Sequence, residues 1–251
     1  MRILCLGDSI MQYNDCTTYP QTGWVQELAR FFPTETNFLH FAKNGRSSKS
    51  FIDEGRFEDV KKAARTGDFA LIQFGHNDEK KQDPARYTSP DEGGEYRKNL
   101  AFFVRELQAL GVKPIILTPM TRRKFVSEHK MEDTHGAYPE AALAEAKKLN
   151  IPSINMTALT FAYVERTGEA KSRRFFMNFD AGEYENFPDG KSDNSHLRPD
   201  GAYAFASIAA HELLRLGKKW ADYRELSDTV ITGAMDASEF EKDTGDEKLM
   251  A

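Results

Sequence analysis

Short apolar runs rich in Val, Ile, Leu and Phe alternate along this chain with longer segments of helical period, and that alternation admits few folds. A strand that is apolar on both sides has to be covered on both sides, which is the condition of a parallel sheet between two layers of helices. The pattern predicts strands over residues 2–6, 37–41, 69–74, 114–118 and 151–155, and helices over 23–32, 57–65, 95–110, 138–149 and 199–216. Gly111 and Gly217 follow the last periodic residues of two helices and suit their stops, while Pro199 suits a first helical turn. With short right-handed crossovers these elements give a three-layer α/β/α sandwich around a five-stranded parallel sheet. One domain is expected over residues 1–220. From Ala221 onward the composition turns acidic and periodicity fades, so an extended or partly ordered tail is expected over 221–251.

Charge and cysteine usage exclude several classes of partner. The 251 residues carry a formal net charge of -5, with the basic residues scattered rather than striped, so no nucleic acid partner is expected. Cys5 and Cys16 are too few for a disulfide framework and lack metal-ligand spacing. No apolar run approaches the length of a membrane span, so no membrane partner is expected either. The first strand begins at Arg2, which leaves no room for a signal peptide ahead of it. A cytoplasmic, reducing compartment is the expectation, unless Met1 only marks where the chain was cut. The sequence carries no signature of oligomeric state.

The chemistry concentrates where strands end. Gly7-Asp8-Ser9 sits at the carboxyl end of the first strand, the edge at which open α/β sheets bind ligands. A serine hydroxyl is a weak nucleophile until a base takes its proton, and a histidine serves best when a carboxylate fixes its tautomer. Asp193 and His196 lie three residues apart just ahead of the last helix and supply both groups. Acyl transfer also needs donors for an oxyanion. The backbone N–H groups of Ser9 and Gly45 and the side-chain amide of Asn77, from Asn44-Gly45-Arg46-Ser47-Ser48 and Gly75-His76-Asn77-Asp78, end neighbouring strands and can converge there. Alone, a Gly-Asp-Ser more often caps a helix than attacks an ester. Asp78 reads as a turn former, and Asp8 as a partner for nearby backbone N–H groups.

Taken in order, Gly7-Asp8-Ser9, Gly45, Gly75-His76-Asn77-Asp78 and Asp193-x-x-His196 resemble the four blocks of the SGNH (GDSL-like) hydrolases, which have a flavodoxin-like fold. Within that superfamily, residues 44–51, Thr118-Pro119-Met120-Thr121-Arg122-Arg123-Lys124-Phe125 and His135-Gly136-Ala137-Tyr138-Pro139 resemble the rhamnogalacturonan acetylesterases. The likeness runs from Met1 to about residue 216. It implies Ser9 as nucleophile, His196 as base, Asp193 as its orienting carboxylate, and Ser9, Gly45 and Asn77 as the oxyanion hole. The implied reaction removes acetyl groups from acetylated pectic oligosaccharides, with neither metal nor cofactor.

Stretches 80–94 and 121–136 follow strands and are expected to overhang the sheet edge as substrate walls; 175–192 is a third irregular stretch, aromatic and acidic. Arg122, Arg123 and His135 are candidates to contact the sugar chain, because galacturonate carboxylates suit planar bidentate arginines. His76 can line the pocket or hold its turn. Three rivals stay open: an acetylesterase for other sugars such as xylan oligomers, a catalytically silent carbohydrate-binding module, and a metal-dependent phosphoesterase. The last would want a Gly-Asn-His block and an early Asp-x-His pair, which this chain lacks.

Overall fold

The structure, a computed structural model, describes residues 1–231. Along the chain, β1 (Arg2–Gly7) leads through α1 (Trp24–Leu28) to β2 (Asn37–His40), then through α2 (Ser48–Asp53) and α3 (Arg56–Ala63) to β3 (Phe69–Gln73). Next, α4 (Glu95–Ala109) precedes β4 (Lys113–Leu117), a hairpin of β5 (Phe125–Ser127) and β6 (Lys130–Met131), α5 (Tyr138–Lys148) and β7 (Ser153–Ile154). The chain closes with α6 (Met156–Thr167), α7 (Glu169–Ser172), β8 (Phe176–Phe179), β9 (Lys191–Leu197), α8 (Pro199–Lys219) and α9 (Arg224–Thr229).

Five strands form one parallel sheet, as the sequence pattern predicts, and the structure sets their order as β2-β1-β3-β4-β7. Side chains alternate across it. Ile3, Cys5, Phe69, Leu71, Ile115 and Leu117 enter the core under α1, α6, α8 and α9, whereas Leu4, Leu6, Ala70, Ile72 and Ile116 enter the core under α2 to α5. Each of the Ile, Leu and Phe side chains contributes roughly 1.5–3 kcal/mol when fully buried. After β1 the chain crosses one face to reach β2, and after β2 it returns across the other to reach β3. The crevice opened by that reversal lies at the carboxyl ends of β1 and β3, which are the Gly7 and Gly75 ends.

Several elements differ from the expectation. The helix α6 was not separable from the run before it, because Met156 continues the apolar signal of β7; its start is fixed by Asn155, whose Oδ1 accepts the Ala158 N–H at 3.1 Å. The "irregular" stretch 121–136 contains the β5–β6 hairpin, and the stretch 175–192 opens with β8. The domain does not stop at residue 220. Tyr223, Leu226 and Val230 are buried in the same core as α8, the Tyr223 hydroxyl donates to the Pro114 carbonyl at 2.8 Å, and the Ile231 N–H donates to the Phe31 carbonyl at 2.8 Å. Tyr223, Leu226, Val230 and Ile231 recur at helical spacing, but α9 (Arg224–Thr229) is too short a run for that period to stand out in the acidic sequence around it. The rest of the expected tail, 232–251, lies outside the described residues. No helix among the described residues is long and apolar enough to cross a membrane.

Candidate active site

Gly7 ends β1, and the turn after it is held by Asp8, whose Oδ1 accepts the Ile10 N–H at 3.0 Å and whose carbonyl accepts the Gln12 N–H at 3.1 Å. That turn stands Ser9 at the sheet edge. Some 187 residues later, His196 brings Nε2 to 2.9 Å from Ser9 Oγ, and its Nδ1 lies 2.7 Å from Asp193 Oδ2. A carboxylate only accepts, so Nδ1 carries the proton and donates it to Asp193, leaving the Nε2 lone pair for the serine hydroxyl.

Asp193 and His196 belong to β9, not to a loop. The antiparallel register of β8 and β9 shifts between the pairs Phe176–Leu197 and Asn178–Ser192, so the residues between bulge out of the ladder. Asp193 repairs the lost backbone bonds, its Oδ1 accepting the N–H groups of Ser195 at 2.8 Å and His196 at 3.0 Å. Partial burial alone would raise its pKa. The hydrogen bonds and charge of His196 and the two backbone donors outweigh that and hold it down to about 2, so it is anionic at neutral pH.

The candidate oxyanion donors lie in the turns that follow β1, β2 and β3. Among the described residues the backbone N–H groups of Ser9 and Gly45 have no acceptor. Gly45 reaches this position with φ +75, a left-handed conformation that a side chain would strain. Asn77 is 3% exposed; its Nδ2 donates to the Arg46 carbonyl at 3.1 Å, which uses one of two hydrogens. Asp78 ties the two turns together by accepting the Ser48 N–H at 3.0 Å, the Ser48 hydroxyl at 2.5 Å and the Thr88 hydroxyl at 2.8 Å.

This constellation has relatives. Residues 5–202 match the GDSL-like lipase/acylhydrolase family. The chain belongs to that family. It is therefore an ester hydrolase. This acylhydrolase is 33% identical over 225 residues to the rhamnogalacturonan acetylesterase RhgT of Bacillus subtilis, a match that spans 89% of the chain and 94% of the relative. It is 29% identical to the probable rhamnogalacturonan acetylesterase YesY of the same organism, over 86% of the chain and 93% of that protein. The crystal structure of protein YxiM from Bacillus subtilis superposes with a TM-score of 0.69 at 25% identity, covering 86% of this chain and 57% of that one.

In this GDSL-like acylhydrolase the sugar-contact candidates have partners inside the protein. Arg122 pairs with Glu79, and its Nη2 also donates to the His76 carbonyl at 3.3 Å. His135 is 2% exposed and has both ring nitrogens engaged, Nδ1 3.1 Å from Glu79 and Nε2 2.7 Å from the Met120 carbonyl. Arg123 braces β9, since its N–H donates to the Asn194 carbonyl at 2.9 Å and its Nη1 to Asn194 Oδ1 at 3.1 Å. The His76 ring is buried edge-on against His135, 4.7 Å between centroids, and burial pushes its pKa well below the usual value. His76 and His135 are buried, and the Arg122 and Arg123 side chains are 21% and 10% exposed.

Two cations of the 80–94 stretch, expected as a substrate wall but not singled out in sequence, reach the Asn77 and Gly45 turns. Lys80 Nζ donates to Asn77 Oδ1 at 2.8 Å, and the Arg86 guanidinium lies 3.8 Å from where a Cβ would project from Gly45. The available signal was spacing: Lys80 follows Asn77 by three residues in a turn closed by the Lys80 N–H on the Asn77 carbonyl at 3.3 Å. Among the described residues no group of three or more His, Cys, Asp or Glu side chains is placed to hold a metal ion.

Proposed function

We propose that this chain is a carbohydrate O-acetylesterase that releases acetate from rhamnogalacturonan oligosaccharides through an acetyl-serine intermediate. The observation that carries the reading is the continuous relay from Asp193 through His196 to Ser9, at 2.7 and 2.9 Å, beside two backbone N–H groups with no acceptor of their own among the described residues. Ser9 Oγ attacks the acetyl carbonyl carbon while its proton passes to His196 Nε2. The charge that grows on the carbonyl oxygen is received by the Ser9 and Gly45 N–H groups and the Asn77 amide. Collapse breaks the bond to the sugar oxygen, which takes the proton from His196 and leaves as an alcohol. Water, deprotonated by His196, then attacks acetyl-serine and frees acetate and the serine hydroxyl.

The sugar class rests on the two Bacillus subtilis relatives named for rhamnogalacturonan, which match nearly the whole chain. Cations beside the oxyanion turns also fit an acidic saccharide better than a lipid: Lys80 meets Asn77, and the Arg86 guanidinium lies next to Gly45. The test is acetate release from acetylated rhamnogalacturonan, acetylated xylan and acetylated homogalacturonan by the wild-type chain and Ser9→Ala. The expected result is fastest release from rhamnogalacturonan oligomers and none above background from Ser9→Ala. Fastest release from xylan would move the substrate assignment, and an active Ser9→Ala would end the mechanism.

A further inference from the structure

The Asn77 amide is held from behind by a cation. Its Nδ2 donates to the Arg46 carbonyl at 3.1 Å and its Oδ1 accepts from Lys80 Nζ at 2.8 Å. An ammonium can only donate and a carbonyl can only accept, so these two contacts fix which way round the amide sits. The second Nδ2 hydrogen finds no acceptor among the described residues.

We propose that Lys80 is a positioning residue for ester hydrolysis, whose ammonium locks and polarises the Asn77 amide so that its remaining N–H receives the oxyanion more strongly. The inference rests on the acyl-serine reading above. A cation on the amide oxygen draws electron density from nitrogen and makes the N–H a better donor, as hydrogen bonds in a chain reinforce one another.

The setting of Lys80 favours this over incidental contact. An ordinary surface lysine extends into water or meets a carboxylate. Lys80 is half-buried, forms no ion pair among the described residues, and spends its side-chain hydrogen bond on Asn77. Burial first, and then the charges of Arg86 and Arg122, push its pKa down, so the ammonium is kept there against its surroundings. The backbone holds it: the Lys80 N–H donates to the Asn77 carbonyl at 3.3 Å and the Asp83 N–H to the Lys80 carbonyl at 2.9 Å. A charge so fixed stabilises an oxyanion without reorganising when that anion forms.

The test uses the full chain and p-nitrophenyl acetate, a small neutral ester that removes sugar recognition from the measurement. Lys80→Met is expected to lower kcat roughly tenfold, a fraction of the 10²–10³ typical of losing an oxyanion donor outright, with KM within about twofold. Lys80→Arg, which keeps the cation, should recover most of that loss. In an Asn77→Ala background Lys80→Met should cost less than about twofold more, because the amide it acts through is gone. If Lys80→Met does not fold, Lys80→Gln, which keeps an N–H donor without the charge, is read the same way. Equal losses with and without Asn77, or a loss carried by KM alone, would overturn the proposal. Ser9→Ala separates the two readings: if it is inactive while the Lys80 losses are additive, only this inference fails, and if it stays active both fall.

Discussion

The carboxylate of Asp78 accepts both the backbone N–H and the hydroxyl of Ser48, at 3.0 and 2.5 Å, and so fastens the Gly45 turn to the Asn77 turn. The clamp is fully buried. Burial pushes the Asp78 pKa up to about 7 against the hydrogen bonds of Ser48 and Thr88, and burial likewise raises that of Asp8 to about 6. An unfolded aspartate titrates at about 3.9. Between that value and about 7 the folded chain therefore retains protons that the unfolded chain has lost, so stability falls as pH rises through the window. Urea midpoints measured from pH 4 to pH 8 should decline toward the alkaline end. Asp78→Asn should flatten the decline only in part, because Asp8 still contributes. An unchanged slope in Asp78→Asn would count against a protonated Asp78.

Asp193→Asn keeps an oxygen for the Ser195 and His196 N–H groups but offers His196 Nδ1 an amide in place of a carboxylate. The fold should survive with the imidazole in the wrong tautomer, and kcat should fall by on the order of 10⁴ with little change in KM. Steady-state kinetics on p-nitrophenyl acetate, with a thermal melt as control, decide it. A loss under tenfold would remove Asp193 from the relay.

Arg122 and Glu79 form a mostly buried pair, with side chains 21% and 16% exposed. Arg122→Met leaves Glu79 without its cation and frees the His76 carbonyl behind the Asn77 turn. The expected outcome is destabilisation of about 2–4 kcal/mol. Activity should drop by the same factor on neutral and uronate-bearing acetate esters. A KM rise confined to the uronate-bearing ester would instead put Arg122 in contact with the sugar.

A chain ended after residue 220 loses Tyr223, Leu226 and Val230 from the core and the Ser227 hydroxyl bond to the Leu213 carbonyl at 2.8 Å. At roughly 1.5–3 kcal/mol for each buried apolar side chain, the total rivals the usual 5–15 kcal/mol stability of a domain. Such a chain should melt well below the full one or fail to fold. A melting temperature within a few degrees of the full chain would show that this segment is dispensable.

The sheet, its longer flanking helices other than α6, and the family were legible because they depend on local quantities: apolar alternation, helical period, and short blocks such as Gly7-Asp8-Ser9 and Gly75-His76-Asn77-Asp78 that turn the chain at strand ends. Ser9, Asp193 and His196 could be chosen for the same reason, since a nucleophile, a base and a carboxylate each announce themselves by residue type. What sequence could not assign was which charges face the cleft and which face inward. Arg122, Arg123 and His135 carry the right chemistry for a uronate, yet Glu79, Asn194 and the Met120 carbonyl claim them, while Lys80, read only as part of a loop, meets Asn77. A side chain's period and type are written in its neighbours along the chain. Its electrostatic partner is set by packing among residues that are distant in sequence, and only the tertiary structure decides that.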